Sequence, residues 1–295
     1  MQLTLPVSQV VLSQCIPKHQ AVVASQLERL KSYLQSLPKL LVLTGAGVST
    51  ESGIPDYRSE EVGRFARTDA RPIQHQQFIK LASARRRYWA RNFVGWPLFS
   101  SSQPNINHRT LCDWEKEGRI QWLVTQNVDS LHSKAGSKLV TELHGSAAKV
   151  VCLDCDHLIS RDQMQQLIHR LNPTFVASTI DIAPDGDVDI ADELVENFVT
   201  PSCPKCSGLL KPHVVFFGDN VPPDVRDFCF QQLDNSDGLL VLGSSLYTWS
   251  GLRFVKRARD RNKPVFIINI GSTRADKEAT LKLSCKCSDV LPNLF

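Results

Sequence analysis

The sequence predicts an α/β fold: a doubly wound parallel sheet with a smaller module inserted into it. Three observations carry that reading. Short, apolar, β-branched runs recur at residues 39–44, 122–125, 238–243 and 264–269, as expected of strands buried on both faces. Helical periodicity fills much of the chain around them, at 24–37, 107–117, 224–233 and 250–261, so strands alternate with crossover helices. One stretch breaks the alternation. From Cys152 to Cys206 the chain is bounded by paired cysteines, and residues 171–204 hold seven acidic residues and no basic one.

The 295 residues give room for one large domain carrying a small one. The net charge of +4 is dispersed; its densest cluster, Arg85-Arg86-Arg87 with Arg91, is interleaved with Tyr88 and Trp89 and reads as an exposed helical face rather than a nucleic-acid surface. No run reaches the roughly 18 apolar residues that span a bilayer. Neither nucleic acid nor membrane is therefore an expected partner. The first 27 residues contain no acid and no arginine, which fits neither a secretory signal nor a diagnostic organellar leader; residues 1–24 are set apart as an N-terminal segment whose leader origin stays open. Nine cysteines, an odd number, favour a reducing compartment over a disulfide framework.

The first strand runs into Gly45-Ala-Gly-Val-Ser-Thr-Glu-Ser-Gly-Ile-Pro-Asp-Tyr-Arg-Ser59. Glycines at 45 and 47 lack the third member, three residues on, of a dinucleotide fingerprint. Small side chains still let backbone N–H groups approach a pyrophosphate, and Arg58 would neutralise it. The inserted module opens and closes on Cys152-Leu-Asp-Cys155 and Cys203-Pro-Lys-Cys206. This spacing lets four thiolates face one tetrahedral zinc ion and leaves no open position, so the zinc is structural. Independent or redox pairs are the alternative, though Pro204-Lys205 would sit poorly at the start of the helix that a redox pair opens. The remaining cysteines, Cys15, Cys112, Cys229, Cys285 and Cys287, read as core or surface thiols. Asp185-Gly-Asp-Val-Asp189 with Glu193 and Glu196 copies the spacing of a calcium loop, but Ile190 stands where the glycine is needed.

Further along come Thr125-Gln-Asn-Val-Asp-Ser-Leu-His132, Glu142-Leu-His-Gly145, Gly208-Leu-Leu-Lys-Pro-His-Val-Val-Phe-Phe-Gly218, Gly243-Ser-Ser245 and Ile268-Asn-Ile270. With these motifs in this order, the chain from about residue 25 to its end resembles the sirtuins, the NAD-dependent protein lysine deacylases. Tyr57-Arg58, Arg87-Tyr-Trp-Ala-Arg91 and the acidic insert are most similar to the mitochondrial lipoamidase type of class II.

The resemblance implies a Rossmann-like NAD domain at 25–145 and 213–295 around a zinc module at 146–212. It implies that Ala46, Gly47, Thr50, Tyr57 and Arg58 line the NAD pocket, with Asp56, Asn127 and Asp129 near nicotinamide. Gln126 meets the nicotinamide ribose, Gly243, Ser244 and Ser245 the phosphates, Asn269 the adenosine ribose, and Cys287 the adenine. Gly271 stands where many relatives carry a ribose-binding Glu, which weakens that contact. His144 is the implied general base, with Asn127 beside it: nicotinamide leaves, the acyl-lysine oxygen attacks the ribose carbon, and the imidazole takes a ribose hydroxyl proton. A near-neutral pKa suits that transfer. The implied products are lysine, nicotinamide and O-acyl-ADP-ribose.

Residues 214–219, with Val215, Phe216, Phe217 and Gly218, are the implied floor for acyl-lysine, pairing with the substrate backbone like an added strand; an ordinary core strand would show the same pattern. Tyr88 and Arg91, three apart on one helix face, match the pair with which class II relatives hold an acyl carboxylate. The implied substrates are glutaryl-type or branched acidic acyl-lysines, with lipoyl as a second type, on metabolic enzymes of the mitochondrial matrix. By spacing alone, a packed Tyr and a solvated Arg would look alike. The insert at 172–199 either shapes access to the acyl channel or is a surface loop. Protein mono-ADP-ribosylation would use the same NAD residues. A non-catalytic NAD sensor or zinc-knuckle adaptor could dispense with His144, Asn127 and Asp129.

Overall fold

A computed structural model describes residues 15–69 and 71–295; residues 1–14 of the segment set apart above lie outside it. The helices are α1 (Ala24–Gln35), α2 (Arg64–Arg67), α3 (His75–Lys80), α4 (Ala82–Ser101), α5 (Ile106–Lys116), α6 (Leu131–Ala135), α7 (Arg161–Leu171), α8 (Pro223–Asp234) and α9 (Trp249–Asp260). The strands are β1 (Leu40–Thr44), β2 (Ile120–Thr125), β3 (Val140–Glu142), β4 (Gly145–Cys152), β5 (Leu158–Ser160), β6 (Leu210–Val214), β7 (Gly238–Leu242), β8 (Val265–Ile268) and β9 (Leu281–Leu283).

The larger sheet has the order β3-β2-β1-β7-β8-β9, with every pair parallel. Its layering follows from the strand period of two. Leu40 and Val42 face one side, where they meet Leu30 and Leu34 of α1 and Leu111 and Trp114 of α5. Leu41 and Leu43 face the other, against Cys229 and Leu233 of α8 and Leu252 and Phe254 of α9. The Rossmann-like core is thus as expected, and the edge strands β3 and β9 add to it; at three residues each they are too short to show a pattern. The chain leaves β1 toward β2 on one side and returns to β7 on the other. The carboxyl end of β1 is therefore the switch point at which such sheets hold ligands.

A second, antiparallel sheet, β5-β4-β6, lies beside the first, and its core includes Val150, Ile159, Met164 and Ile168 with Phe78 and Trp89. The basic face of α4 is exposed at Arg87, as its composition suggests, but it is also paired with the insert. Arg86 donates to the carbonyl of Glu196 at 2.6 Å, Arg87 pairs with Asp192 at 3.3 Å, and Arg91 binds Asp187 and Asp189. The acidic insert lies along this helix, which accounts for acids with no local bases. Contact is close enough that a Cβ at Gly95 of α4 would sit 2.2 Å from the carbonyl oxygen of Gly186.

Candidate active site

A cavity of about 960 Å³ opens at the carboxyl ends of β1, β2 and β7 and runs to the second sheet and the insert, a volume fit for a dinucleotide and a side chain. On its cofactor side, the loop after β1 packs backbone to backbone against Gly243 at the end of β7. A Cβ on Gly47 would lie 2.9 Å from the Gly243 carbonyl oxygen, and Gly243 itself has φ +56°, where a side chain is strained. Ala46, Gly47, Asp56, Tyr57 and Arg58 line this side, with Ser244, Ser245 and Asn269 opposite. Asp56 accepts from the backbone N–H groups of Arg58 and Ser59 at 2.8 and 2.7 Å and so shapes the loop. Arg58 lies 4.6 Å from the ring centre of Tyr247. Thr50 and Cys287 line a smaller adjoining cavity with Gly47 and Asn269. Around Gly271 a Cβ would meet nothing within 4 Å.

Deeper in, polar groups fix one another. The Asn127 amide donates to the Gly45 carbonyl and to Ser49 Oγ, both at 3.1 Å; Ser49 in turn donates to Asp129 at 2.7 Å. The other Asp129 oxygen accepts from the Leu131 N–H at 2.9 Å. Burial raises the Asp129 pKa, opposed by these donors. Gln126 donates to Ser244 Oγ at 2.8 Å, joining the ends of β2 and β7.

His144, between β3 and β4, faces the same cavity. Its Nδ1 lies 2.8 Å from the Gln126 carbonyl, which can only accept, so Nδ1 carries the hydrogen. Nε2 is then the basic nitrogen, and it accepts from Ser250 Oγ at 2.8 Å. Burial lowers the His144 pKa, with the Gln126 contact opposing, which keeps the imidazole in its base form at neutral pH. Ser49 and Ser250 were not singled out from the sequence. A serine in a small-residue loop and another in the first turn of a helix carry no pattern of their own.

The substrate side is formed by Val215, Phe216, Phe217 and Gly218 after β6. The Tyr57 and Phe217 rings meet edge to face at 5.9 Å. From the insert, Pro184 and Asp185 reach the cavity. Asp185 accepts a hydrogen bond from the Tyr57 hydroxyl, and burial raises its pKa. Tyr88 and Arg91 are not among the lining residues. The Tyr88 ring packs 5.5 Å from Phe78 and 5.3 Å from Phe216. The Arg91 guanidinium is engaged by Asp187 through Nε at 3.0 Å and Nη2 at 2.8 Å, and by Asp189 at 2.7 Å. Asp189 also pairs with Arg64 at 2.8 Å.

The sulfurs of Cys152, Cys155, Cys203 and Cys206 lie within 4.8 Å of one another, and neighbouring pairs are 3.2 to 3.8 Å apart. Tetrahedral zinc with bonds of about 2.3 Å sets its sulfurs roughly 3.8 Å apart, so the cluster fits one structural zinc. The Lys205 N–H points at Cys203 Sγ at 3.4 Å, as a thiolate requires. None of these four cysteines lines the main cavity.

This geometry agrees with what the chain is similar to. The Sir2 family profile matches residues 45–250. A Drosophila melanogaster protein named NAD-dependent protein deacylase Sirt4 is 54% identical over 280 residues, covering 95% of this chain and 90% of that protein. The human NAD-dependent protein lipoamidase sirtuin-4, named as mitochondrial, is 51% identical over 287 residues, covering 97% and 91%. Among solved structures, a Sir2 enzyme with a deacetylated p53 peptide and 3'-O-acetyl-ADP-ribose aligns at TM-score 0.71 and 27% identity, covering 91% of this chain and 96% of that one. A Sir2 homologue with ADP-ribose aligns at 0.70 and 30%, covering 90% and 94%. The chain belongs to the Sir2 family, and it is an NAD-dependent protein deacylase of the class II, Sirt4-like kind.

Proposed function

We propose that this deacylase acts on lysines carrying glutaryl-type, branched acidic or lipoyl groups, in the mitochondrial matrix and on metabolic enzymes. In this reading residues 25–145 and 213–295 hold NAD, and residues 146–212 hold zinc and control acyl access. The observation that carries the deacylation chemistry is the orientation of His144, whose basic Nε2 faces the cavity shared by the cofactor loop and the segment after β6.

NAD would be held by the loop 45–58 with Gln126, Ser244, Ser245 and Asn269, and would supply an electrophilic ribose carbon with nicotinamide as its leaving group. The chain supplies the rest. His144 Nε2 would accept a ribose hydroxyl proton, with Ser250 yielding its place to that hydroxyl. Asn127 and Asp129, held by Ser49, offer an amide and a carboxyl group to the nicotinamide carboxamide. Phe216 and Phe217 keep water from the acyl chain while the segment that follows β6, to which they belong, pairs with the substrate backbone.

The lipoyl and mitochondrial parts are both supported by the name of the human relative. The acidic part rests on Tyr88 and Arg91 and carries a condition: an acyl carboxylate must compete with Asp187 and Asp189 for the guanidinium. The test is mass spectrometry of nicotinamide and O-acyl-ADP-ribose formed from NAD and a panel of acyl-lysine peptides. Turnover of acetyl-lysine above glutaryl- and lipoyl-lysine would refute the selectivity; label appearing on protein instead would point to ADP-ribosylation. Shortening 172–199 should change the acyl ranking more than NAD affinity, and a deletion that moves neither would make the insert a surface loop.

A further inference from the structure

We propose that residues 15–18, upstream of α1, belong to the cofactor site: they wall the cleft from outside and position the loop 56–61 that carries Tyr57 and Arg58. These residues precede every motif that marks the NAD pocket, and they lie outside any helix or strand.

Such a segment would ordinarily be solvated, yet Cys15 is only 4% exposed and Pro17 is buried as well. The Cys15 thiol is pushed up to about 11 by burial, with Arg67, Asp181 and Asp56 as its charged neighbours. The anchor therefore sits where the cofactor loop meets the acidic insert, beside the 3.2 Å Arg67–Asp181 pair. From there the chain passes over the cleft. Pro17 and Lys18 line the main cavity, and Pro17 also lines the small one beside Thr50 and Cys287. Lys18 Nζ then meets both Glu61 oxygens, at 3.0 and 2.9 Å.

The loop has reason to need an outside support. Glu61 holds φ +64°, a conformation a non-glycine residue does not adopt by preference. The ion pair cannot be the main restraint, because its side chains are 87% and 66% exposed and such pairs contribute little. The buried anchor at Cys15 and Pro17 is the holding contact, and the fixed φ of proline limits how far the segment swings. Positioning of this kind acts on cofactor binding. By linkage it works in both directions: whatever the segment adds to NAD affinity, NAD adds to the docking of the segment.

The inference rests on the cleft holding NAD but not on any acyl preference, so it is read by binding. NAD affinity is measured by calorimetry on the full chain, on a chain shortened by residues 1–14 and on one shortened by residues 1–18. The 14-residue deletion should stay within about twofold of the full chain, and the 18-residue deletion should weaken NAD on the order of tenfold. In turnover, the longer deletion should raise KM for NAD while leaving kcat at saturating NAD and the acyl ranking unchanged. Equal affinity in all three, or the whole loss already at residue 14, overturns the assignment. If the shorter chain does not fold, alkylation of Cys15 in the full chain, followed by site-resolved mass spectrometry, decides: saturating NAD should slow it severalfold, and an unchanged rate overturns the proposal.

Discussion

The two walls of the cleft are built by opposite means. The cofactor wall is made of small residues and backbone: Gly47 against Gly243, the Gly45 carbonyl holding Asn127, Ser49 between Asn127 and Asp129. The acyl side is lined by Val215, Phe216, Phe217 and Gly218, and next to it, outside the cavity lining, stand long charged side chains from distant segments, Arg91 reaching Asp187 and Asp189, and Arg64 reaching Asp189. A wall of close backbone contacts tolerates few residue types at each position. Paired charges beside a wall can be altered one pair at a time. The first suits a ligand that never changes, and the second a substrate that does.

The proposed mechanism gives both walls one general base, so the largest effect should come from His144→Tyr. Loss of a general base lowers turnover by about 10²–10⁴, and the loss should be equal for glutaryl- and lipoyl-lysine peptides, with NAD still bound. A loss confined to one acyl class would show that the walls do not converge on a common base.

Next in size is the zinc site. Cys206→Ser or Cys152→Ser should release the zinc, because three thiolates no longer close the tetrahedron. Destabilisation of about 3 kcal/mol corresponds, for a chain of 295 residues, to a fall in Tm of roughly 5 °C. Metal analysis and thermal melts check it; full zinc content in either variant would contradict a closed four-thiolate site.

That contrast also explains what could be read in advance. The cofactor wall was legible because its residues cluster along the chain in fixed order, at 45–58, 125–132 and 243–245, each at the end of an apolar run. The four cysteines were legible because each pair is local. The occupation of Arg91 was not. Its partners lie 96 and 98 residues away, and a Tyr and an Arg three apart on a helix look alike whether the guanidinium awaits a substrate or already holds two aspartates. The excess of acid in the insert and of base on α4 was visible separately, but nothing local joined them. Ser250 was hidden for a related reason: only the fold brings the first turn of α9 to β3–β4.

Freeing Arg91 should sharpen the comparison. Asp187→Asn with Asp189→Asn removes both internal carboxylates, and the ratio of glutaryl to lipoyl turnover should rise about tenfold, the size of one charge-assisted hydrogen bond. Arg91→Met should lower the same ratio, leaving NAD affinity alone in both cases. The wild type should carry a pH signature of this competition. The Asp187 pKa is pushed up to about 7 by burial, against the opposing pull of Arg91. Asp187 is thus increasingly protonated below that pH and a weaker competitor there. The glutaryl-to-lipoyl ratio should fall as pH rises from 6 to 8, and a flat ratio would mean that Arg91 supports the insert without reading the acyl group.

The smallest effect belongs to Ser250, on the cofactor side of the imidazole. Its hydroxyl donates to the basic nitrogen of His144 and so favours the neutral ring, adding to the burial that already lowers the pKa. Because the active form is the unprotonated one, activity should persist on the acid side below the usual histidine range near 6.5 and decline only as pH falls through the lowered pKa. Ser250→Ala removes a donor to the neutral form, so the acid limb of kcat/KM should move toward higher pH. At pH 7 the rate should change by less than about fivefold, in keeping with a net value of ~1 kcal/mol for one neutral hydrogen bond. An acid limb that moves to lower pH, or a loss as large as that of His144→Tyr, would mean that Ser250 takes part in the proton transfer instead of yielding its place to the ribose hydroxyl.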